Sequence, residues 1–482
     1  MILTNVFINT SNNKLQLADI YFSSRIEHIS FRLRSEIDFS EIAAKEKLKA
    51  FIKQQAGSIT ADDEHKINGN YLLAVSGGID PHVHFNTPGY EHRDDFEHAS
   101  LAAACGGVTT VIDMPCTSVP PVTSALNFSV KANAIKNRSY IDYSFWGGIR
   151  GNDFLEFKNI KQQINELAEK GAAGFKAYLI SGMDTFCDLT EQQMLECAGF
   201  VKSTGKILAV HAEDKNMVLH RMYELQHLNH NTWKDYCASR DNKAEAKAVL
   251  LMIDIARKTK CRIHIVHLSS AMALQHIKKA KQDGLPVTAE TCPHYLHFTQ
   301  NDFNDPAITN YLKTAPPVKH EEDREALWQG LKEGVIDFVS TDHAGCNPDE
   351  EKVSSNFWQV YGGISGVEHR VPYLFSEGFL KNRLTLQETI NVLSSNASRV
   401  FNLYNKGNLQ PGRDADITLM DLWSGFQIES DLMHSKAKYT PFNGMQLNAS
   451  VAQTFLRGRR LKYGENIGEG TVGYGQLINI FG

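Results

Sequence analysis

Between residues 72 and 344, eight short apolar, β-branched runs alternate with longer amphipathic segments, a rhythm that few folds accommodate. The runs are 72–84, 108–115, 140–148, 174–180, 207–213, 262–269, 286–293 and 336–344. Helix-like stretches between them include 94–104, 154–170, 191–202, 243–258, 272–282 and 321–333. Strands buried on both faces read as continuous apolar runs, so strand then helix, eight times over, predicts an α/β chain built on a closed (β/α)8 TIM barrel. The flanks read differently. Residues 1–30 and 410–482 carry short β-type runs with turn signals at Gly407, Pro411-Gly412 and Gly458. They predict a small β-sandwich-like domain made from both chain ends. The expected boundaries are 1–70 for its first part, with a helical insertion near 31–65, 71–405 for the barrel, and 406–482 for its second part. At 482 residues the chain is long enough for both units.

Composition removes several function classes. A net charge of −5 offers no basic surface for a phosphate backbone, so nucleic acid is not an expected partner. The N-terminus lacks a basic segment leading into an apolar core, and no apolar stretch approaches the ~20 residues of a membrane span. The reading is a cytoplasmic protein with no membrane partner. Eight cysteines without a Cys-x-x-Cys pair point to free thiols in a reducing compartment rather than to disulfides or a cysteine zinc site.

The ends of the predicted strands carry the chemistry. The first ends in Gly-Gly-Ile-Asp-Pro-His-Val-His, placing His82 and His84 two positions apart and therefore on one side of a strand. A His-x-His pair alone is commonly a packing accident. Here, however, Lys176 lies in the fourth run, His211 and His267 end the fifth and sixth, and Asp342 ends the eighth. In a parallel barrel all these ends open on one mouth, so residues 260 positions apart converge. Neutral imidazoles and a carboxylate are good ligands for Zn²⁺, and two cations about 3.5–4 Å apart can share a hydroxide made nucleophilic at neutral pH. A desolvated lysine has a lowered pKa, and its neutral amine can add carbon dioxide to give a bridging carbamate.

The chain resembles the amidohydrolase superfamily, and within it the cyclic amidases: dihydroorotases, allantoinases and hydantoinases. The motifs that carry the likeness run from 77–84 through Gly-Gly-Val-Thr-Thr-Val-Ile-Asp-Met-Pro (106–115), Gly-Phe-Lys (174–176), Val-His-Ala-Glu (210–213), His-Leu-Ser-Ser (267–270), Glu-Thr-Cys-Pro-His-Tyr (290–295), Ala-Pro-Pro (315–317) and Thr-Asp-His (341–343) to Pro-Gly-Arg-Asp-Ala-Asp-Ile (411–417). The resemblance implies two divalent metal ions, zinc in the first instance. His82, His84 and Asp342 would hold one, His211 and His267 the other, and carbamylated Lys176 would bridge them. It also implies that a bridging hydroxide opens the ring amide of a small cyclic substrate, with Asp342 as catalytic proton carrier. A homo-oligomer, dimer or tetramer, is implied as well.

Departures from the family pattern bear on the substrate. Dihydroorotases typically carry an arginine two positions after the second histidine, an asparagine after Met-Pro and another before Pro-Pro; this chain has Asn86, Cys116 and Ala315. It also has Cys346 where that family often has histidine. A buried substrate carboxylate without a cationic partner costs several kcal/mol. The missing arginine therefore favours a neutral ring, as in allantoinases and hydantoinases, whose patterns Pro88-Gly89, 146–148 and 362–364 resemble. Residues 90–96 and 440–442 read more like dihydroorotases, which remain the alternative; Arg93, Lys313, Lys319 and Arg370 are its candidate cations. Asn86, Cys116, His294, Ala315 and Gly363 are the candidate substrate contacts. A metal-free relative serving as an assembly partner is a further alternative, but all six ligand positions are retained.

Overall fold

The computed structural model describes residues 1–33, 35–54, 65–156, 159–468 and 471–481. Part of the expected insertion, at 34 and 55–64, and residues 157–158 of the expected 154–170 helix lie outside the described residues. Barrel strands run Gly78–His84, Val108–Asp113, Asp142–Phe145, Phe175–Tyr178, Ile207–His211, Arg262–Ile265, Val287–Thr291 and Phe338–Val339. Neighbours pair in parallel in chain order. The third and eighth strands each break and resume: Gly147–Gly148 passes the ladder to the fourth strand, and His343–Ala344 closes the ring on the first. The predicted TIM barrel is the fold observed. Helices cover it, their first turns capped by Asp95, Thr190, Asp241 and Ser270. The longest, Asn242–Thr259, buries Val249, Met252, Ile253 and Ala256, one apolar stripe of helical spacing.

Strands from both chain ends form one ten-stranded sheet around its own apolar core, which includes Val6, Ile20, Ile417 and Phe455. Two boundaries differ from those expected. The run 72–84 is two strands: Leu73–Ser76 belongs to the end sheet, between Ile2–Ser11 and Ile417–Asp421, and the barrel begins at Gly78. Both pieces are buried, so no change of pattern marks the switch. Only Gly77 does, where a Cβ would lie 2.2 Å from Thr109 Oγ1. The end of the chain, placed in the β domain by its turn signals, instead lies along the barrel. Tyr143 N–H donates to the Gln476 carbonyl at 3.0 Å and Ile478 N–H to the Tyr143 carbonyl at 2.7 Å. Ile480 is buried in a core cluster with Trp146 and Phe401. The Lys45–Gln54 helix sets Phe51 against Phe7 and Tyr71 of the end-sheet region. All eight cysteines are free, and among the described residues no helix is long and apolar enough to cross a membrane.

A buried ion cluster fastens the two units. Lys406 Nζ lies 2.8 Å from Asp142 of the third barrel strand, 3.2 Å from Asp414 and 2.7 Å from Asp416, with Arg457 also on Asp142. These three carboxylates could in principle hold a cation, and the ammonium takes that place. Burial works against its charge, but the three aspartates outweigh it, so the Lys406 pKa stands above its ordinary value. The ammonium therefore keeps its contribution at every pH below the unfolded lysine value. Lys406→Met, which leaves the carboxylates facing one another, is expected to cost about 3–5 kcal/mol in denaturant unfolding at neutral pH.

Candidate metal centre and its cavity

The barrel mouth brings the expected ligands together. His82 Nε2 and His84 Nε2 both lie 3.1 Å from the same oxygen, Asp342 Oδ1. On the other side, His211 Nδ1 lies 3.1 Å from His267 Nε2. The His82 and His267 ring centroids are 5.5 Å apart, which joins the two groups. Lys176, fully buried, has no hydrogen-bond partner for its amine among the described residues. Its Nζ sits 4.8 Å from the centroid of the Tyr178 ring, and that ring stacks on His211.

Backbone geometry aims two of these side chains. Asp342 has φ 50° and His267 φ 37°, left-handed conformations uncommon for non-glycine residues. Asp80 accepts from Thr341 Oγ1 at 2.6 Å and Thr341 N–H at 3.2 Å, fixing the backbone just before Asp342.

Outer carboxylates set the histidine tautomers. Glu290 accepts a hydrogen bond from His82 Nδ1 and lies 3.2 Å from His264 Nε2. Glu213 accepts from His211 Nε2 at 2.7 Å and pairs with Arg240. These contacts leave His82 Nε2 and His211 Nδ1 as the nitrogens turned to the centre. The charges follow. Burial lowers the pKa of His211, and burial with the neighbouring His211 holds His267 well below the ordinary histidine value, so both are neutral. Burial opposes charge on Asp342, but His82 and His84 overcome it and keep the carboxylate ionised. Burial brings the Lys176 pKa down to about 8.

The donor set fits divalent cations. Two imidazoles at 3.1 Å from one carboxylate oxygen match the edge, about 3.3 Å, of a tetrahedron with bonds of about 2.0–2.1 Å. The facing nitrogens of His211 and His267 have the same spacing, and the unpartnered Lys176 amine completes the group.

The centre opens into a cavity of about 460 Å³. Cys116, Ala315 and Gly363 line it. Cys116 Sγ lies 3.2 Å from Tyr178 OH and 3.6 Å from His84 Nδ1. Asn86 and His294 do not line it: Asn86, at φ 59°, donates to the Gly345 carbonyl at 3.3 Å, and His294 borders a separate small void beside Arg370. Both sit in family-like motifs, but the backbone turn at Asn86 and the helix Pro293–His297 carry their side chains away from the mouth. The candidate cations are engaged elsewhere. Arg93 pairs with Glu351, Lys319 donates to the Arg240 carbonyl, and buried Arg370 donates to the Ile79, Val339 and Leu393 carbonyls. Lys313 lines the cavity but donates to the carbonyls of Phe357, Trp358 and Val360. His343 holds Asp94 at 3.2 Å and accepts from the Gly366 and Val367 N–H groups. The sequence alone does not single out Glu213, Glu290, Tyr178, Tyr236, Arg240 or Tyr361. The available signal was period two: Glu213 and Tyr178 each follow a ligand position by two residues on one strand side.

Comparison with known proteins agrees with this architecture. The sequence profile of the Amidohydrolase family matches residues 73–461. An allantoinase of Streptomyces avermitilis is 34% identical over 408 residues, covering 84% of this chain and 87% of that protein. An allantoinase of Saccharomyces cerevisiae is 32% identical over 419 residues, covering 86% and 88%. Among solved structures, the L-hydantoinase (dihydropyrimidinase) of Arthrobacter aurescens superposes with a TM-score of 0.87 at 26% identity, covering 99% of each chain.

Proposed function

This chain belongs to the amidohydrolase family, and from that premise we propose that it hydrolyses a ring amide of an uncharged cyclic ureide, of the allantoin or hydantoin type. The observation that carries the reading is the pair of facing ligand groups, His82, His84 and Asp342 against His211 and His267, around the unpartnered amine of Lys176. His82, His84 and Asp342 would hold one divalent cation and His211 and His267 a second, with Lys176, as its carbamate, between them. When bound, such cations supply Lewis acidity, which makes water nucleophilic at neutral pH and polarises an amide carbonyl.

The residues of the chain divide the remaining work. Asp342, ionised at neutral pH, takes the proton of the attacking water on Oδ1 or Oδ2 and returns it to the leaving ring nitrogen. A C–O bond forms, the ring C–N bond breaks, and the product is a ureido acid. Glu290 and Glu213 hold the imidazoles in the tautomers this needs. The neutral amine required for carbamate formation is accessible at Lys176 because burial lowers its pKa. The neutral ring is favoured over dihydroorotate because the two cations on the cavity wall are spent: Arg240 on Glu213, Lys313 on three carbonyls.

Metal removal followed by zinc return, with allantoin, hydantoin, dihydrouracil and dihydroorotate assayed side by side, tests the reading. Chelated protein is expected to lose ring opening and to regain it with about two Zn²⁺ per chain, on allantoin or hydantoin first. Preference for dihydroorotate, or activity indifferent to metal, would refute it.

A further inference from the structure

Three tyrosines line the cavity, and their hydroxyls are not equivalent. Tyr178 OH is engaged with Cys116 Sγ at 3.2 Å, and Tyr236 OH donates to the Thr314 carbonyl at 2.9 Å. The Tyr361 hydroxyl has no hydrogen-bond partner among the described residues. Its ring is nevertheless fixed. The Tyr361 N–H donates to the Glu351 carbonyl at 2.8 Å, and its carbonyl accepts from Lys352 Nζ at 2.8 Å. The Arg93 guanidinium lies 4.6 Å from the ring centroid and is itself held by the Glu351 carboxylate, with Nε at 2.8 Å. Gly363 completes the seat. A Cβ there would lie 2.8 Å from Tyr361 Cε1 and 2.6 Å from the Ala344 carbonyl oxygen, so only glycine lets the ring rest against the end of the eighth strand. Burial raises the phenol pKa; Arg93 opposes this, and Cys346, Glu351 and Asp342 add to it, so the group remains a donor at neutral pH.

An immobilised phenol with an unspent O–H on a cavity wall is a ready hydrogen-bond donor. The scissile carbonyl of a bound ureide belongs to the ligand cluster, which leaves the urea carbonyl, between the two ring nitrogens, for the rest of the wall. A neutral donor suits that neutral acceptor. Resting on the cyclic-ureide reading above, we propose that Tyr361 is a specificity-determining residue whose hydroxyl donates to the urea carbonyl of the bound ring, with Gly363 and Arg93 as positioning residues.

Tyr361→Phe keeps the ring and its contacts and removes only the donor. It is expected to raise KM for the ureide that the wild type opens by about three- to tenfold, with kcat changing less than about twofold, because the lost contact is made equally in ground and transition states. Wild type and variant should bind 2-thiohydantoin, measured as an inhibition constant, with equal strength, since sulfur is a poor acceptor. Zinc content and Tm, read on the same preparations, should match wild type. An unchanged KM overturns the assignment, as does an equal loss of affinity for the thio ring. If the wild type opens none of the four rings, it is the cyclic-ureide reading itself that falls, and this inference with it.

Discussion

Lys176→Met is expected to abolish ring opening while making the metal-free protein more stable. The amine is fully buried, unpartnered, and held at a pKa of about 8 by burial, against 10.5 for an unconstrained lysine. At pH 7 both folded and unfolded chains carry the proton, so the folded state bears the whole cost of the shift, about 3 kcal/mol. A basic group depressed on folding relieves that cost as pH rises from about 8 to 10.5, where the unfolded chain binds more protons. Metal-free wild type should therefore gain stability across that window, and Lys176→Met should not. Activity should move the opposite way. Losing a residue that merely orients a metal ligand costs about 10–100-fold, and losing the proposed bridging position should exceed about 100-fold. Denaturant unfolding of the chelated proteins and kcat/KM of the zinc-loaded ones check the two halves. A variant that is less stable and still active would show that Lys176 is a packing residue.

Asp342→Asn is the second large effect. Its Oδ1 is the point on which His82 Nε2 and His84 Nε2 converge, and its carboxylate is the proposed proton carrier. The amide keeps the shape, removes the negative charge and removes the base. General acid–base catalysis contributes about 10²–10⁴-fold, and kcat should fall by at least that much. With the negative charge gone, the His82 ring keeps the carboxylate of Glu290 at Nδ1. A kcat reduced less than about tenfold would move the proton-carrying role elsewhere.

These effects turn on residues that the sequence displays with uneven clarity. His82, His84, Lys176, His211, His267 and Asp342 are legible because a parallel barrel sends every strand end to one mouth, so linear position alone predicts convergence. The barrel is legible because its strands are buried on both faces and read as unbroken apolar runs. That same continuity hid the switch at Gly77 from the end sheet to the barrel. It also hid the breaks between Phe145 and Gly147 and between Val339 and His343, since a gap in a ladder has no compositional mark. Sequence alone assigns no role to Glu213 or Glu290, because an acid on a strand is ordinary until an imidazole lies against it. Asn86 is a candidate substrate contact because it stands where dihydroorotases typically carry an arginine, two positions after the second histidine. At φ 59° the chain turns there and sends the side chain to Gly345 instead. Tyr361 stands just before the family-like segment 362–364, but its seat joins Gly363 to Arg93, some 270 positions away, and only the fold brings those two together.

The proposed function requires a cation on each of two opposite halves of one barrel mouth. Anomalous diffraction at the zinc edge from zinc-loaded crystals tests it most directly. Two peaks are expected, one among His82, His84 and Asp342 and one between His211 and His267, joined by density extending from Lys176 Nζ. A single peak, or none at the His211 and His267 pair, would contradict it.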